Sequence, residues 1–552
     1  MLANDKLLNF KNLVKDFSRD EIIWTNGYLA GLLANNQTEL LPEILAGKPI
    51  KPTIIYGTET GNAKKLASQL QSLLKKNKIQ SKAIDAFQYP IEKIDKEEFI
   101  ILIISTQGDG DLPQNAQKFY DNLINQDLKL TSTKFAVLGL GDTSYPFFCK
   151  SGEDVDALFE KLGANRVLPL VKADVDYHET AENWFNEILN QVKTAGTSIS
   201  VQKQSKEVST AQKKNFKGIV KHKVILNDRG SNKSTYHIEI ALNDEVDYEP
   251  GDALGIYPKN NSTEILAIAK LFNAEDRADE LTTKNIRALS KKSIQQFSTL
   301  FQVEILEDKI DLIDLLLKYN PANSTITFDE ILAQLHSIAP RLYSISSAKD
   351  AHEDEIHLTV NLNTFKVEEA NKTGLCSQFL ADFELNEPIE FYIHKNRNFK
   401  LPAEDANVIM IGPGTGIAPF RSFLAHRDAT GAEGRNWLFF GEQYFVSDFY
   451  YQTEIQEWIS TGVLEKLDTA FSRDQKEKIY VQHCLKEKAK EVYQWLNEGA
   501  YLYVCGQKDG MSTDVEQTLI EIIANENNFD LDSAKEYLEK LEEEGRYQKD
   551  VY

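Results

Sequence analysis

The stretch T-I-I-Y-G-T-E-T-G-N-A, Thr53 to Ala63, decides the fold of the first part of the chain. It opens with an apolar run that ends at Gly57, and the residues from Ala63 to Leu74 place apolar side chains at helical spacing. The pattern therefore predicts a strand, a short loop and a helix in that order. This arrangement is typical of the first unit of an α/β sheet.

The loop T-E-T-G-N-A, Thr58 to Ala63, has the chemistry to hold a phosphate group. Its donors are the hydroxyls of Thr58 and Thr60, the Asn62 amide and the open backbone N–H groups of a helix N-terminus. It does not end in the lysine of a nucleoside-triphosphate P-loop, which favours a small phosphomonoester. Taken alone, the loop could equally be an ordinary capped helix start.

Two further apolar runs, Phe99 to Ile104 and Lys134 to Leu140, have the composition of buried parallel strands. Their alternation with helices predicts a doubly wound sheet that extends to about residue 192. Each run is followed by a polar loop, S-T-Q-G-D-G from Ser105 to Gly110 and L-G-D-T-S-Y-P-F-F-C from Leu140 to Cys149. Because such sheets bind ligands at the carboxyl ends of their strands, we expect the three loops to share one ligand.

The three loops together resemble the flavodoxin-like FMN domain of diflavin reductases. Tyr145 can stack on an isoalloxazine ring, and Asp142 can hydrogen-bond polar ligand atoms. Gln107 stands where the microsomal-type reductases usually have an aromatic residue, so the S-T-Q-G loop looks more like the sulfite reductase branch. The FMN contacts that the resemblance implies are Thr58, Glu59, Thr60, Gly61, Asn62, Ala63, Ser105, Thr106, Gln107, Gly108, Leu140, Gly141, Asp142, Thr143, Tyr145, Phe148 and Cys149.

Short β-like runs dominate the chain from Asn215 to about residue 400 and predict an antiparallel β-barrel, interrupted by a helical insert at about 262–338. Within it, R-L-Y-S offers the Arg341 guanidinium for a pyrophosphate, Tyr343 for a flavin face and Ser344 near the flavin N5. An ordinary barrel strand with a surface arginine is the alternative. Together with T-G-L-C-S, where Gly374 precedes an apolar helix, the motif resembles the FAD site of ferredoxin-reductase-like enzymes. The implied FAD contacts are Arg341, Leu342, Tyr343, Ser344, Thr359, Val360, Asn361, Gly374, Leu375, Cys376 and Ser377.

A second strand, loop and helix alternation begins near Ala406 and predicts a Rossmann-like domain. Its loop G-P-G-T-G, Gly412 to Gly416, does not fit G-x-G-x-x-G, and no acidic residue follows at the distance typical of a ribose contact. A hydroxyl at Ser472 and cations at Arg473 and Lys478 instead suit a 2′-phosphate, which favours NADPH over NADH. The predicted nucleotide contacts, among them Tyr480 for adenine stacking, are Gly414, Thr415, Ser472, Arg473, Lys478, Tyr480 and Gln482. The resemblance to the same enzymes implies Asp514 as a further contact.

The chain from about residue 15 to Tyr552 resembles the flavoprotein α-components of NADPH-dependent assimilatory sulfite reductase. The motifs W-T-N-G-Y-L-A-G-L-L, S-T-Q-G, L-G-D-T-S-Y, R-L-Y-S and R-Y-Q-K-D-V-Y carry the resemblance. It implies that Ser344, Cys505 and Asp550 assist hydride transfer from NADPH to FAD, although Cys505 alone reads equally as a core cysteine. It also implies that Tyr552, at the end of what looks like a terminal tail, covers the FAD ring.

The chain departs from this family at two places. The interdomain linker and the helical insert look short, which affects interdomain geometry. Gly-Leu-Cys-Ser replaces the commoner run of small residues at 374–377, so Cys376 could alter the FAD pocket.

The resemblance implies a path from NADPH to FAD, to FMN and on to a sirohaem and iron–sulfur sulfite reductase subunit that reduces sulfite to sulfide. Two alternatives stay open. One is a diflavin reductase that serves a different haem protein. The other is a non-catalytic flavin-bearing subunit whose main task is assembly.

Composition limits the class of protein. A chain of 552 residues suggests roughly three to four domains. Its formal net charge of −22 disfavours nucleic acid and indicates either solubility or steering toward a basic protein partner. The four cysteines are far apart, so we expect no disulfide framework and no metal site. We expect no signal peptide, no membrane span and a cytoplasmic location.

The sequence predicts five segments. Apolar residues from Ile22 to Leu33 recur at helical spacing, and the helix could mediate oligomerisation or docking, or simply pack on the next domain. The polar, small residues of the stretch 194–214 predict a flexible linker. The predicted boundaries are 1–50 for the N-terminal helical segment, 51–193 for the FMN domain, 194–214 for the linker, 215–402 for the FAD-binding barrel and 403–552 for the NADPH-binding domain.

Overall fold

The computed structural model describes two compact units, one built on the first predicted sheet and one on the rest of the chain. The predicted N-terminal segment 1–50 and nearly all of the predicted linker lie outside the described residues. The described residues are 51–59, 61–108, 110–126, 128–143, 145, 147–194, 214–320, 325–367 and 370–552.

The first unit is a parallel sheet with the strand order β2-β1-β3-β4-β5, and β6 also pairs with β4. The strands are β1 Thr53–Gly57, β2 Lys82–Asp85, β3 Phe99–Ser105, β4 Lys134–Leu140, β5 Asn165–Arg166 and β6 Val171–Ala173. The helices are α1 Asn62–Lys76, α2 Gln114–Asn125, α3 Lys150–Lys161 and α4 Tyr177–Thr194, with 3₁₀ turns at Ala86–Gln88 and Ile91–Lys96.

The continuous apolar runs are explained by burial of both faces of this sheet. On one face Ile101 and Ile103 pack in a cluster with residues of α1 and α4. On the other face Ile100 and Leu102 pack with residues of α2 and α3. Helices on both faces leave the carboxyl edge of the sheet as the place where ligand loops gather.

The second unit begins with an antiparallel sheet in the order β10-β9-β14-β7-β8-β11. An antiparallel bridge between Ile345 and Leu358 joins its two ends, so the predicted barrel is confirmed. The strands are β7 Asn215–Ile225, β8 Thr235–Leu242, β9 Ala253–Ile256, β10 Arg341–Ser344, β11 Glu355–Asn361, β12 Thr364–Val367, β13 Ala370–Thr373 and β14 Pro388–His394. Of these, β12 and β13 form a separate hairpin.

Helices fill the predicted insert and pack into an apolar core of their own. Three of them begin at side-chain caps, Asn261, Ser290 and Thr327, whose oxygens accept backbone N–H groups of the first turn. The helices of this part of the chain are α5 Ser262–Lys270, α6 Lys291–Phe301, α7 Leu312–Tyr319, α8 Phe328–Gln334, α9 Lys349–His352 and α10 Leu375–Asp382, with a 3₁₀ turn at Glu275–Leu281.

The third sheet is parallel throughout, in the order β17-β16-β15-β18-β19. Apolar clusters cover both of its faces, as in a doubly wound fold. Its strands are β15 Val408–Ile411, β16 Asn436–Glu442, β17 Lys466–Phe471, β18 Tyr501–Gly506 and β19 Tyr547–Val551. Its helices are α11 Ile417–Thr430, α12 Phe445–Asp448, α13 Gln452–Thr461, α14 Val481–Glu487, α15 Ala489–Asn497, α16 Thr513–Asn527 and α17 Leu531–Glu543.

Buried polar contacts join this sheet to the barrel. Arg421 on α11 is 5% exposed and donates 2.7 Å to the carbonyl oxygen of Ser346 and 3.0 Å to Nδ1 of His357. Its other nitrogens make a bidentate pair with Glu454. No helix among the described residues is long and apolar enough to cross a membrane.

Candidate active site

The predicted phosphate loop lies at the carboxyl end of β1. Gly61 has a φ of 89°, a left-handed conformation that favours glycine, and its N–H donates 2.9 Å to the Thr58 hydroxyl. The helix α1 then starts at Asn62 with no side-chain cap among the described residues and no acidic side chain in its first turn. Such a helix start attracts an anion. Thr60 lies outside the described residues.

The loops after β3 and β4 lie beside each other. The Thr106 N–H donates 2.8 Å to the carbonyl oxygen of Leu140, and Gln107 pairs with Asp111 in a tight turn. The Ser105 hydroxyl is buried and has no hydrogen-bond partner among the described residues. A buried hydroxyl without a partner at a loop junction fits a polar ligand atom there.

Cys149, one of the predicted FMN contacts, turns its side chain away from these loops. It is fully buried, and its Sγ hydrogen-bonds the carbonyl oxygens of Gly139 at 3.3 Å and Ala173 at 3.6 Å. Burial raises its pKa to about 12, so the thiol stays protonated. Its side chain therefore supports the loop from within the core, and only its backbone could contact a ligand.

The predicted FAD motifs lie on β10 and at the start of α10. The Tyr343 hydroxyl lies close to the Cys376 thiol, and burial raises the pKa of Cys376 to about 12. Gly374 precedes α10, which has no side-chain cap among the described residues and no acidic residue in its first turn. The Ser377 hydroxyl donates 3.0 Å to the Gly374 carbonyl oxygen. The departure at Cys376 therefore places a neutral thiol against Tyr343.

The three predicted contacts on β11 have their side chains engaged within the protein. The Thr359 hydroxyl lies 2.6 Å from the Tyr451 hydroxyl, and Val360 is fully buried in the barrel core. The amide oxygen of Asn361 accepts a 3.2 Å bond from Thr235. A flavin contact from Thr359 or Val360 would have to come from the backbone.

Ser344, Cys505 and Asp550 come together where the barrel meets the third sheet. Cys505 and Asp550 are paired neighbours on β18 and β19, and the Ser344 hydroxyl donates 2.9 Å to Oδ2 of Asp550. Oδ1 of Asp550 accepts a 3.4 Å bond from Asn396. Asn396 was not predicted, because an asparagine in a barrel loop has no motif around it.

Burial dominates the ionisation of these groups. It raises the pKa of Asp550 above its usual range, an effect that the Ser344 hydrogen bond opposes. Burial, reinforced by the charge of Asp550, raises the pKa of Cys505 well above the usual value for a thiol. Cys505 is therefore a neutral thiol, unsuited to act as a thiolate nucleophile.

The C-terminus is an ordered strand end, whereas a terminal tail is ordinarily disordered. The Tyr552 N–H donates 3.1 Å to the Gly506 carbonyl oxygen, and the Lys508 N–H donates 2.9 Å to the Tyr552 oxygen. The Tyr552 hydroxyl lies 2.6 Å from the Thr415 hydroxyl, while 62% of the residue is exposed. An exposed ring held in place beside Asp550 fits a planar ligand that stacks on it.

The glycine loop after β15 lies against the same group of residues. A Cβ atom on Gly416 would lie 2.1 Å from the carbonyl oxygen of Cys505, so only glycine fits there. Gly414 has a φ of 61°. Within the part of the chain that the structure describes, the helix α11 begins at Ile417 with no side-chain cap, and its first turn has no acidic residue. The loop therefore offers backbone N–H groups to a phosphate.

The predicted 2′-phosphate residues follow β17. The backbone N–H groups of Ser472 and Arg473 donate 2.8 Å each to the carbonyl oxygens of Glu442 and Gln443. Within the described part of the chain the exposed Arg473 makes no ion pair, and the same holds for Lys478. They are available to an anion. Further along, Tyr480 is 42% exposed, and Gln482 donates 3.3 Å to Asp514.

Side chains of His237, Glu239 and His357 also lie close together, with ligand atoms within 4.8 Å of one another. They are poorly suited to a metal ion. Because Arg421 donates to Nδ1 of His357, the proton of the neutral ring lies on Nε2, which faces Glu355 at 3.1 Å. His357 then has no lone pair to offer, and the cluster is a hydrogen-bond network.

Three parts of the chain match families of known proteins. Residues 54–186 match the flavodoxin family, residues 208–315 and 278–379 match an FAD binding domain, and residues 410–517 match an oxidoreductase NAD-binding domain. The sulfite reductase (NADPH) flavoprotein alpha-component of Bacillus subtilis (strain 168) is 36% identical over 598 residues, covering 99% of this chain and 98% of that protein. The chain belongs to the family of sulfite reductase flavoprotein alpha-components.

Other members of the family are equally similar. The alpha-components of Zymomonas mobilis and Photorhabdus laumondii are 37% and 38% identical, and each comparison covers 100% of this chain and 98% of the relative. As a sulfite reductase flavoprotein alpha-component, the chain is an NADPH-dependent oxidoreductase that uses FMN, FAD and NADPH.

Proposed function

We propose that the chain passes electrons from NADPH through FAD and FMN to a separate sirohaem sulfite reductase haemoprotein, which reduces sulfite to sulfide. When bound, FAD accepts two electrons from NADPH, and FMN passes them on singly. The observation that carries the proposal is the meeting of Ser344, Cys505 and Asp550 beside a nucleotide loop and an exposed terminal aromatic ring. The phosphate loop of the other unit supplies the second flavin site.

The residues after β17 select the nucleotide. We assign the 2′-phosphate to Ser472, Arg473 and Lys478, because two cations and a hydroxyl at one strand end suit a dianion. Tyr480 stacks on the adenine with its exposed ring. Gly414 and Thr415 hold the phosphates through the backbone of the glycine loop.

Tyr552 covers the flavin until the nicotinamide arrives. Its side chain must then move so that the hydroxyl breaks its bond to Thr415. The backbone of Tyr552 stays in place through its hydrogen bonds to Gly506 and Lys508. Ser344 and Asp550 orient the reacting groups. The Asp550 carboxylate also stabilises the positive charge that the nicotinamide gains as it is oxidised.

In the first unit, the backbone and side chains from Thr58 to Ala63 hold the phosphate of FMN. The loop after β4 contributes Tyr145, which stacks on the ring. We propose that the segment 194–214 lets this unit face first the FAD and then the acceptor. A crosslink that fixes the unit should preserve flavin reduction by NADPH and abolish reduction of the acceptor. Unchanged turnover would contradict this part of the proposal.

The acceptor is proposed from two observations. The relatives are named alpha-components of sulfite reductase, which implies a second component. The net charge of −22 suits a basic partner, so the reaction should slow at high salt.

The test is an anaerobic titration of the purified protein with NADPH, followed by addition of a sirohaem sulfite reductase subunit and sulfite. Bleaching of the flavin spectrum together with sulfide formation would support the proposal. Bleaching without sulfide would overturn the acceptor and favour a diflavin reductase of another haem protein. Absence of bleaching would overturn NADPH as the donor.

A further inference from the structure

Glu442, at the carboxyl end of β16, is a buried carboxylate that the proposed function does not use. Its side chain is 3% exposed and lies 2.5 Å from Nζ of Lys233, in the loop between β7 and β8. Its Oε1 also accepts 3.0 Å from the Tyr450 hydroxyl, and its Oε2 accepts 2.7 Å from the Gln443 N–H. An anion with this many donors is held firmly in one position.

This carboxylate lies beside the glycine loop. Because β16 is the parallel neighbour of β15, both strands end at the same edge of the sheet. Oε1 of Glu442 is 3.5 Å from the position that a Cβ atom on Gly414 would occupy. A dinucleotide places its pyrophosphate on the loop after the first strand of such a sheet. Glu442 therefore adds a negative charge next to the expected position of the phosphates.

We propose that Glu442 sets the affinity of the site for the pyrophosphate of NADP(H), because its negative charge offsets the positive charge of the Lys233 ammonium beside the pyrophosphate. The inference rests on the proposed function, since it requires a dinucleotide on this loop. An ammonium has three N–H donors, so Lys233 can hold Glu442 and a phosphate oxygen at once. The Glu442 carboxylate then reduces the positive charge of Lys233 that would otherwise attract the pyrophosphate. Weaker binding follows, and oxidised nucleotide leaves more readily.

The ion pair could instead only join the barrel to the third sheet. Loss of the Glu442 charge would then lower stability and leave nucleotide affinity unchanged. The two possibilities are separated by comparing a ligand that has a pyrophosphate with one that lacks it. The ligand 2′-AMP carries the adenine and the 2′-phosphate of NADP⁺ but no pyrophosphate.

The experiment measures dissociation constants of NADP⁺ and 2′-AMP by calorimetry for the full flavin-loaded chain. We expect Glu442→Gln to bind NADP⁺ roughly three- to tenfold more tightly at low salt, as removal of one nearby like charge predicts. Its affinity for 2′-AMP should equal that of the unaltered chain. Lys233→Met should bind NADP⁺ more weakly, and Lys233→Met/Glu442→Gln should recover part of that loss.

If Glu442→Gln left the affinity for NADP⁺ unchanged or weakened it, the inference would be overturned. The same holds if the affinity for 2′-AMP rose as much as the affinity for NADP⁺. If the double variant bound NADP⁺ no better than Lys233→Met, the carboxylate would not be the charge that weakens binding. An unaltered chain that binds neither ligand would overturn the proposed nucleotide site itself and this inference with it.

Discussion

The Ser344 hydroxyl donates a 2.9 Å hydrogen bond to Asp550, which is 206 residues further along the chain. Ser344 ends a strand of the barrel, and Asp550 lies in the last strand of the third sheet. This bond links the proposed flavin site to the proposed nucleotide site. The proposed reaction centre is therefore assembled only when the barrel and the third sheet are packed together.

Replacing Ser344 by alanine should slow the reduction of the flavin by NADPH about ten- to hundredfold. The variant loses a hydroxyl that orients the reacting groups and supports the Asp550 carboxylate. Anaerobic stopped-flow absorbance measures this rate. Ser460→Ala is the matched control, because its hydroxyl donates to the Glu457 carbonyl at an exposed position. A Ser344→Ala rate equal to that of the control would contradict the assignment.

The rate of flavin reduction should fall on acidification with an apparent pKa above 3.8, the ordinary value for an aspartate. Burial raises the pKa of Asp550, so protonation removes its charge at a higher pH than usual. Since the Ser344 bond favours the charged form, Ser344→Ala should shift this inflection to still higher pH. Asp550→Asn should be slow and should lack the inflection. An Asp550→Asn profile that retains it would assign the titration to another group.

Replacement of Arg473 or Lys478 by glutamine should raise the KM for NADPH roughly tenfold or more and leave the KM for NADH unchanged. Each variant removes one charge-assisted bond to the 2′-phosphate, which NADH does not have. Steady-state reduction of an artificial acceptor measures both constants. Lys476→Gln, two residues from Lys478 in the same loop, should behave like the unaltered chain. Equal losses for both nucleotides would contradict the assignment.

Replacement of Arg421 by glutamine should destabilise the second unit by about 3 kcal/mol or more, since it leaves the partners of a buried cation unpaired. Those partners are Glu454, His357 and the Ser346 carbonyl. Urea unfolding followed by FAD release measures the loss. The control Arg435→Gln removes a partly exposed pair with Glu498 and should cost about 1 kcal/mol or less. Equal effects of the two changes would show that Arg421 is no more important than a surface residue.

Much of the fold was predictable, because burial of both sheet faces produces apolar runs that the sequence displays directly. The strand Lys134–Leu140 has the predicted bounds, and Phe99–Ser105 extends the prediction by one residue. The barrel strand Ala253–Ile256 is too short for a pattern to show. The last strand Tyr547–Val551 is mostly polar, so no apolar pattern predicts it. It forms because its backbone pairs with β18.

Those parts of the candidate site were predictable that lie in a loop with a glycine motif or with a local group of charged residues. The sequence could not show that the Thr359 hydroxyl bonds Tyr451, because the two residues meet only through packing of the barrel on the third sheet. The same holds for Asn396 beside Asp550 and for Lys233 beside Glu442. Contacts between distant segments depend on tertiary structure and leave no local signal.

The order of electron flow is tested most directly by a variant that loses only FMN. Gly61 has a φ of 89°, so Gly61→Val strains the phosphate loop and should release FMN. Gly163→Val strains a glycine of the same unit with a φ of 86°, away from the loop, and is the control for folding. Flavin content and the rates of NADPH oxidation and of haemoprotein reduction are measured for both variants.

The Gly61→Val chain should keep FAD and still be bleached by NADPH, but it should no longer reduce the haemoprotein. The Gly163→Val chain should keep both flavins, be bleached by NADPH and reduce the haemoprotein. An FMN-free chain that reduces the haemoprotein at the rate of the unaltered chain would contradict the path from FAD through FMN.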